Sequence, residues 1–254
     1  MRKTNQQMVQ KLSGRIAAKL EEAARELRNA TQQLDFADVV PWTYNPLEYA
    51  WQAHVQYLQK YGNSSNCRVL FLGMNPGPWG MTQTGIPFGE VSSVRDWLEI
   101  DAAIGRPERQ HPKRPIEGLQ CQRSEVSGRR LWGLFRDRFG TPQEFFREHF
   151  VANYCPLVFM EESAKNITPD KLPAETLREL ELLCDQHLSA VIKGLDVDWV
   201  IGVGAFAEKC AQRVASDARQ IGKILHPSPA SPAANRDWAG LATSELVKLG
   251  IWSL

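Results

Sequence analysis

A chain of 254 residues, 43% of them hydrophobic and with a formal net charge of +1, has apolar content for one large α/β core and too little overall charge to mark a polyanion binder by itself. Its five cysteines, at positions 67, 121, 155, 184 and 210, form no C-x-x-C pair. That excludes the common zinc and iron–sulfur spacings and reads as reduced thiols of an intracellular protein with neither metal nor cofactor. The N-terminus carries no apolar stretch of signal length and no run of about 18 apolar residues occurs, so no membrane span is expected.

Leu12, Ile16, Leu20, Ala24 and Leu27 recur every three or four residues between charged ones, the stripe of an amphipathic helix ending near Leu34. Pro46 opens a second helix carrying Leu47, Ala50, Trp51, Val55 and Leu58, since proline fits a first helical turn. A polar turn at 62–66 leads into Val69-Leu70-Phe71-Leu72, a buried strand by its unbroken apolarity. Gly73, Pro76, Gly77, Pro78 and Gly80 then punctuate GMNPGPWG, which a helix cannot accommodate and which reads as a rigid loop.

Residues 105–130 are the least apolar stretch, with seven basic residues against three acidic ones and with Pro107, Pro112 and Pro115. They are expected to form a long exposed connection, either a plain solvated loop or a surface for phosphates. Helices are predicted over 129–139, 173–193, 205–215 and 235–249, and strands over 150–154, 199–203 and 221–225. Alternating strands and helices argue a parallel sheet with right-handed crossovers. The expectation is a single α/β domain over residues 1–254, with residues 1–40 a helical extension packed on it. Loops leaving the strand ends of such a sheet meet at one edge, where ligands bind. Asn75, Phe88 and His226 could thus face one pocket although about 150 residues separate the first from the last.

The segments GMNPGP and QTGIPFGEV at 73–91, HPSPASPAAN at 226–235 and Phe150-Val151-Ala152-Asn153-Tyr154-Cys155-Pro156-Leu157 together resemble the single-strand-selective monofunctional uracil-DNA glycosylases of the wider uracil-DNA glycosylase superfamily. The likeness covers roughly residues 40–250. It implies a three-layer α/β/α sandwich around a short parallel sheet. The activity it implies is hydrolysis of the glycosidic bond of uracil, and of 5-substituted uracils such as 5-hydroxymethyluracil, in single- and double-stranded DNA, leaving an abasic site. Xanthine is an alternative main substrate. The expected partner is DNA containing uracil or modified uracil, and the expected form is a monomer with no membrane attachment. Its place would be the cytoplasm, on the nucleoid in a bacterium, or the nucleus in a eukaryote.

The resemblance also implies roles. Asn75 would position the attacking water; an amide cannot serve as general base, so the sugar must already be cationic when water arrives. The superfamily's best-known branch has an Asp there, and the bland alternative is an Asn closing a turn. His226 would donate to uracil O2 as the base leaves as an anion. Its protonation state is open, and His54, His111, His149 and His187 have no such context. Phe88 would stack on the flipped base or be an ordinary core ring. Asn153 would read N3–H and O4, a pattern cytosine reverses, or be satisfied by backbone. Met74 and Gly77 would add backbone to the pocket, and the C5 edge would find room beside Gly85. Ser228, Pro229, Ala230, Ser231, Pro232, Asn235 and Arg236 would invade the duplex or form a plain surface turn. Some members carry Arg where this chain has Ala230, which leaves the plug to a shallower insertion or to Asn235 or Arg236. No lysine lies in either motif and Lys223 sits in a strand, so no Schiff-base nucleophile is at hand for strand cleavage. A binding module without catalysis would not need both Asn75 and His226. A nucleotide-binding enzyme would need a phosphate-loop fingerprint that the sequence lacks.

Overall fold

The protein is described by a computed structural model over residues 2–215 and 219–253, with side chains from residue 14 onward. Helix α1 (Arg2–Thr31) presents Ala17, Leu20, Ala24 and Leu27 to the core; the side chain of Leu12 lies outside the described residues. Strand β1 (Trp42–Tyr44) follows. The helix expected from Pro46 is two helices, α2 (Pro46–Tyr49) and α3 (Trp51–Tyr61), broken at Ala50, whose backbone is non-helical at φ −108°, ψ 23°. Asn45 caps the first by accepting from Leu47 N at 3.1 Å, the usual role of Asn before a helix.

Strand β2 (Val69–Gly73) is buried at all five positions. One short turn, α4 (Met81–Thr84), ends at Gly85 with φ 75°, a left-handed stop that favours glycine. Next come α5 (Val126–Phe139), α6 (Pro142–Glu148), β3 (His149–Asn153), β4 (Val158–Met160) and β5 (Asn166–Ile167). The C-terminal third is α7 (Ala174–Leu195), β6 (Trp199–Val203), α8 (Ala205–Val214), β7 (Gln220–Ile224) and α9 (Pro232–Lys248).

The main sheet has the order β3-β2-β6-β7 and every pairing is parallel, with Gly73 opposite Asn153 and Leu72 opposite Gly202. Successive side chains alternate between its faces. Phe71 meets Phe135 and Phe145 from α5 and α6, whereas Phe150, level with Leu70, meets Tyr57 of α3. One helical layer is therefore α5, α6 and α9; the other is α1, α3, α7 and α8. Within the second, α1 packs chiefly on α7 and also on α3, so its Leu20 and Leu27 share the main core with Leu188.

Three expectations need correction. A small antiparallel sheet, β1-β4-β5, was not foreseen; its strands are two or three residues long, too short to show a period. The basic connection is fastened rather than free. Ile116 is buried with Tyr44, Val158 and Met160, and His111 is buried with its Nε2 3.1 Å from Glu162 O. Helix α9 starts at Pro232 rather than 235 because Ser231 accepts from Ala234 N at 3.3 Å and proline fills the first turn.

Buried histidines give the fold a pH limit. His149 accepts from Trp252 Nε1 at 3.1 Å through Nε2, so its Nδ1–H donates to Phe145 O at 3.0 Å. His54 Nδ1–H donates to Gly85 O at 2.8 Å. Burial, only partly offset by these bonds, pushes His54 and His149 down to about 4; burial and the neighbouring His54 push His187 to about 4. The folded values are depressed, so between roughly pH 6.5 and 4 the unfolded chain binds more protons. The stabilisation is complete above the upper limit and lost as pH falls through that window. The melting temperature is expected to drop steeply across it; a flat profile down to about pH 4.5 would contradict the neutral burial of these rings.

Candidate active site

The site begins with a missing side chain. A Cβ on Gly73 would collide with Asn153 Oδ1 and with the Phe88 ring, so glycine at the end of β2 lets the β3 amide and that ring meet. Strand pairing then runs past the sheet: Tyr154 N donates to Gly73 O and Cys155 N to Met74 O, each at 2.9 Å. The GMNPGP loop is thereby tied to the segment after β3. Asn75 Nδ2 donates one of its two hydrogens to Leu157 O at 3.1 Å, which anchors the amide and leaves Oδ1 and the second N–H for other partners.

That cavity measures about 320 Å³ and is lined by Met74, Asn75, Gly77, Phe88, Asn153 and His226, together with Met81, Glu125, Ser127 and Ser228 among others. The residues expected to attack, stack and read a base therefore border one space. Phe88 holds a left-handed backbone at φ 52°, a strain of about 1–3 kcal/mol for a non-glycine residue. Its carbonyl accepts from Trp132 Nε1 at 3.1 Å and from Glu90 N at 2.7 Å, which pins the strained turn. The ring is nearly buried and lies 6.3 Å from the His226 ring, centroid to centroid. Asn153 Nδ2 reaches only the weak acceptor Met81 Sδ, at 3.3 Å, and its buried Oδ1 has no partner. An unmatched amide is costly in a core and useful where a ligand supplies the missing bonds.

His226 follows β7, opposite Gly204, whose φ of 98° leads into α8 and whose Cβ position lies 3.2 Å from His226 Cβ. Burial lowers the imidazole below its ordinary value, so the ring is neutral at neutral pH and acts through a single N–H.

The region expected to invade DNA is a corner, not one loop. Pro232, Asn235 and Arg236 belong to the first turns of α9, leaving 227–231 as loop. Arg130 of α5 donates through Nη1 to Pro227 O at 3.0 Å and Ser228 O at 3.4 Å, and through Nη2 to Asn235 Oδ1 at 2.9 Å. Asn235 in turn donates to Pro229 O at 2.8 Å. Asn235 is thus engaged in bracing the corner. Ser228 Oγ accepts from Ala230 N at 3.1 Å, while Pro229, Ala230 and Arg236 are exposed.

Several features escaped the sequence reading. Glu125 appeared only as a charge in the connection, yet it lines the cavity. Trp79 has the guanidinium groups of Arg114 and Arg123 over its ring, at 4.8 and 5.1 Å. Gly85 does not make room beside the base: a Cβ there would press on Ala50 at 2.8 Å, and Gly85 does not border the cavity. Among the described residues no group of His, Cys, Asp and Glu could hold a metal, and no helix is long and apolar enough to cross a membrane. The cysteines are all buried and unpaired.

A cavity of base size at the strand ends of a parallel sheet, bordered by an amide, an imidazole and an aromatic ring, is the site of an enzyme that handles a nucleobase. Comparison with known proteins specifies the class. The family model described as the uracil DNA glycosylase superfamily matches residues 59–246. The single-strand selective monofunctional uracil DNA glycosylase of Bos taurus is 47% identical over 231 residues, covering 90% of this chain and 85% of that protein. The Rattus norvegicus protein of the same name is 48% identical over 238 residues, covering 92% and 85%. The crystal structure of Pedobacter heparinus SMUG2 shares the fold, with a TM-score of 0.60 at 17% identity, covering 90% of this chain and 98% of that one. The chain belongs to the uracil DNA glycosylase superfamily and, within it, to the single-strand-selective monofunctional family of glycosidic-bond hydrolases in base-excision repair.

Proposed function

We propose that the protein flips uracil and polar 5-substituted uracils, 5-hydroxymethyluracil above all, out of single- and double-stranded DNA and hydrolyses the N-glycosidic bond as a monomer. The observation that carries this reading is the buried, unpartnered Oδ1 of Asn153 beside the Phe88 ring. An acceptor and a donor on one amide fit uracil N3–H and O4 and oppose cytosine. Phe88 stacks on the pyrimidine. The N1–C1′ bond breaks with its electron pair passing to the ring, and neutral His226 donates to O2 as charge gathers there. Such a donor is worth roughly a hundred- to thousandfold in rate. Asn75 Oδ1 holds a water on the sugar face; its oxygen bonds to C1′ and the proton it sheds neutralises the departed base. No lysine lies in GMNPGP or HPSP, so the product is an intact abasic strand.

The test is a 5′-labelled oligonucleotide with one uracil, single-stranded or duplexed, and a cytosine control. Cleavage at uracil only after alkali supports the reading. Intact uracil strands after alkali, or scission before it, would contradict it.

Trp79, two residues beyond the cavity-lining Gly77, holds Arg114 and Arg123 of the basic connection over its ring. Cationic groups on an aromatic face suit a flanking phosphate and base of a single strand. Arg114→Ala combined with Arg123→Ala is expected to weaken single-strand binding about tenfold and to reduce the slope of log affinity against log salt by about one unit. An unchanged slope would place these arginines off the DNA.

A further inference from the structure

Glu125 is the acidic group that lines the cavity and that the reaction above leaves without a task. One carboxylate oxygen, Oε2, accepts from Gly128 N and caps α5. The other, Oε1, lies 3.4 Å from the point where a Cβ on Gly77 would stand, and the carboxyl carbon and Oε2 lie 3.3 Å from the equivalent point on Gly80. The carboxyl therefore occupies the space that side chains in the first loop would fill, on the wall formed by Gly77. With O2 at His226, N3–H and O4 at Asn153, and the sugar towards Asn75, the edge of the pyrimidine left for that wall is C5–C6.

We propose that Glu125 reads the C5 substituent of the flipped pyrimidine, hydrogen-bonding a polar group such as the hydroxyl of 5-hydroxymethyluracil and rejecting the methyl group of thymine. The assignment rests on the base orientation given under Proposed function. A hydroxyl can replace water on the carboxyl, whereas a methyl group would desolvate it with no bond in return. Burial holds the acid up at about 7, so near neutrality both the protonated and the ionised forms are populated. The hydroxyl of the substituent can accept from the first and donate to the second. A residue acting only as the cap of α5 would influence all bases alike.

The experiment measures single-turnover excision from otherwise identical oligonucleotides bearing uracil, 5-hydroxymethyluracil or thymine, using the full chain and its Glu125→Ala and Glu125→Gln forms. The readout is the ratio of the 5-hydroxymethyluracil rate to the uracil rate within each protein. It is expected to fall about tenfold in E125A, the scale of one hydrogen bond, and to recover in part in E125Q, whose amide keeps a donor and an acceptor. Should E125A fail to fold, the isosteric E125Q carries the test through the same ratio, expected to fall severalfold. A ratio unchanged in the folded variants, with both rates lowered together, would overturn the assignment and leave Glu125 as a cap. An unsubstituted protein that excises uracil but not 5-hydroxymethyluracil would overturn it as well. Loss of excision of every base by the unsubstituted protein would instead sink the proposed function.

Discussion

Asn75→Ala lowers the single-turnover rate of uracil release by about a hundredfold, while affinity for a uracil-bearing strand changes by less than about threefold. Misplacing a reacting group by an ångström is enough for the first effect. The second follows from the position of the side chain. Its amide nitrogen is tethered to Leu157 O at 3.1 Å, so only Oδ1 and one N–H remain for other partners, a small share of the contacts with a strand. Because an amide cannot take a proton from water, the lost contribution is orientation of water at a sugar that is already cationic. Asn75→Asp would keep the geometry, minus the bond to Leu157 O, and add a charge that stabilises the cation; it is expected to retain far more activity than alanine. Rapid-quench excision beside fluorescence anisotropy checks both quantities. Equal losses in rate and affinity would show Asn75 to be a binding group instead.

Gly73→Ala is expected to abolish detectable excision and to lower stability by about 1–3 kcal/mol, the usual cost of overpacking a core. The added methyl has no free direction. It meets Asn153 Oδ1 and two atoms of the Phe88 ring, and both neighbours are fixed, Asn153 by its strand register with Gly73 and Phe88 by the bonds on its carbonyl. Either the strands part or the Asn153 amide turns away. Thermal melts and the same excision assay on the purified variant provide the check. A variant as stable and active as the parent would mean that the amide, the ring and the strand end do not converge as described.

The parallel sheet was legible from its central strands, apolar runs followed by punctuation, as in Val69–Leu72 before Gly73, whereas β7 (Gln220–Ile224) breaks that pattern with Gln220, Gly222 and Lys223. That Asn75, Phe88 and His226 border one cavity follows from segments whose Gly–Pro content forces loops at strand ends, while Asn153 reaches the same cavity as the last residue of β3. What stayed hidden depends on tertiary contact. Glu125 looks like any acid among arginines until Gly77 and Gly80 close over it. Arg130 counted as one more basic charge, yet it braces Pro227, Ser228 and Asn235 across about a hundred residues of chain. Gly85 was assigned to the C5 edge from its neighbourhood in sequence, but its left-handed φ of 75° ends α4 and turns it toward Ala50. The short strands β1, β4 and β5 exist through each other and through Ile116, not through any local pattern.

The most direct measurement is a crystal structure of the protein with a single strand bearing 2′-fluorinated deoxyuridine, whose fluorine disfavours the cationic sugar and so preserves the bond. The uracil ring should lie on Phe88, with Asn153 bonded to N3–H and O4, His226 bonded to O2, and Asn75 Oδ1 on the far side of C1′. A uracil bound elsewhere, or one flanked by only one of Asn75 and His226, would contradict the account.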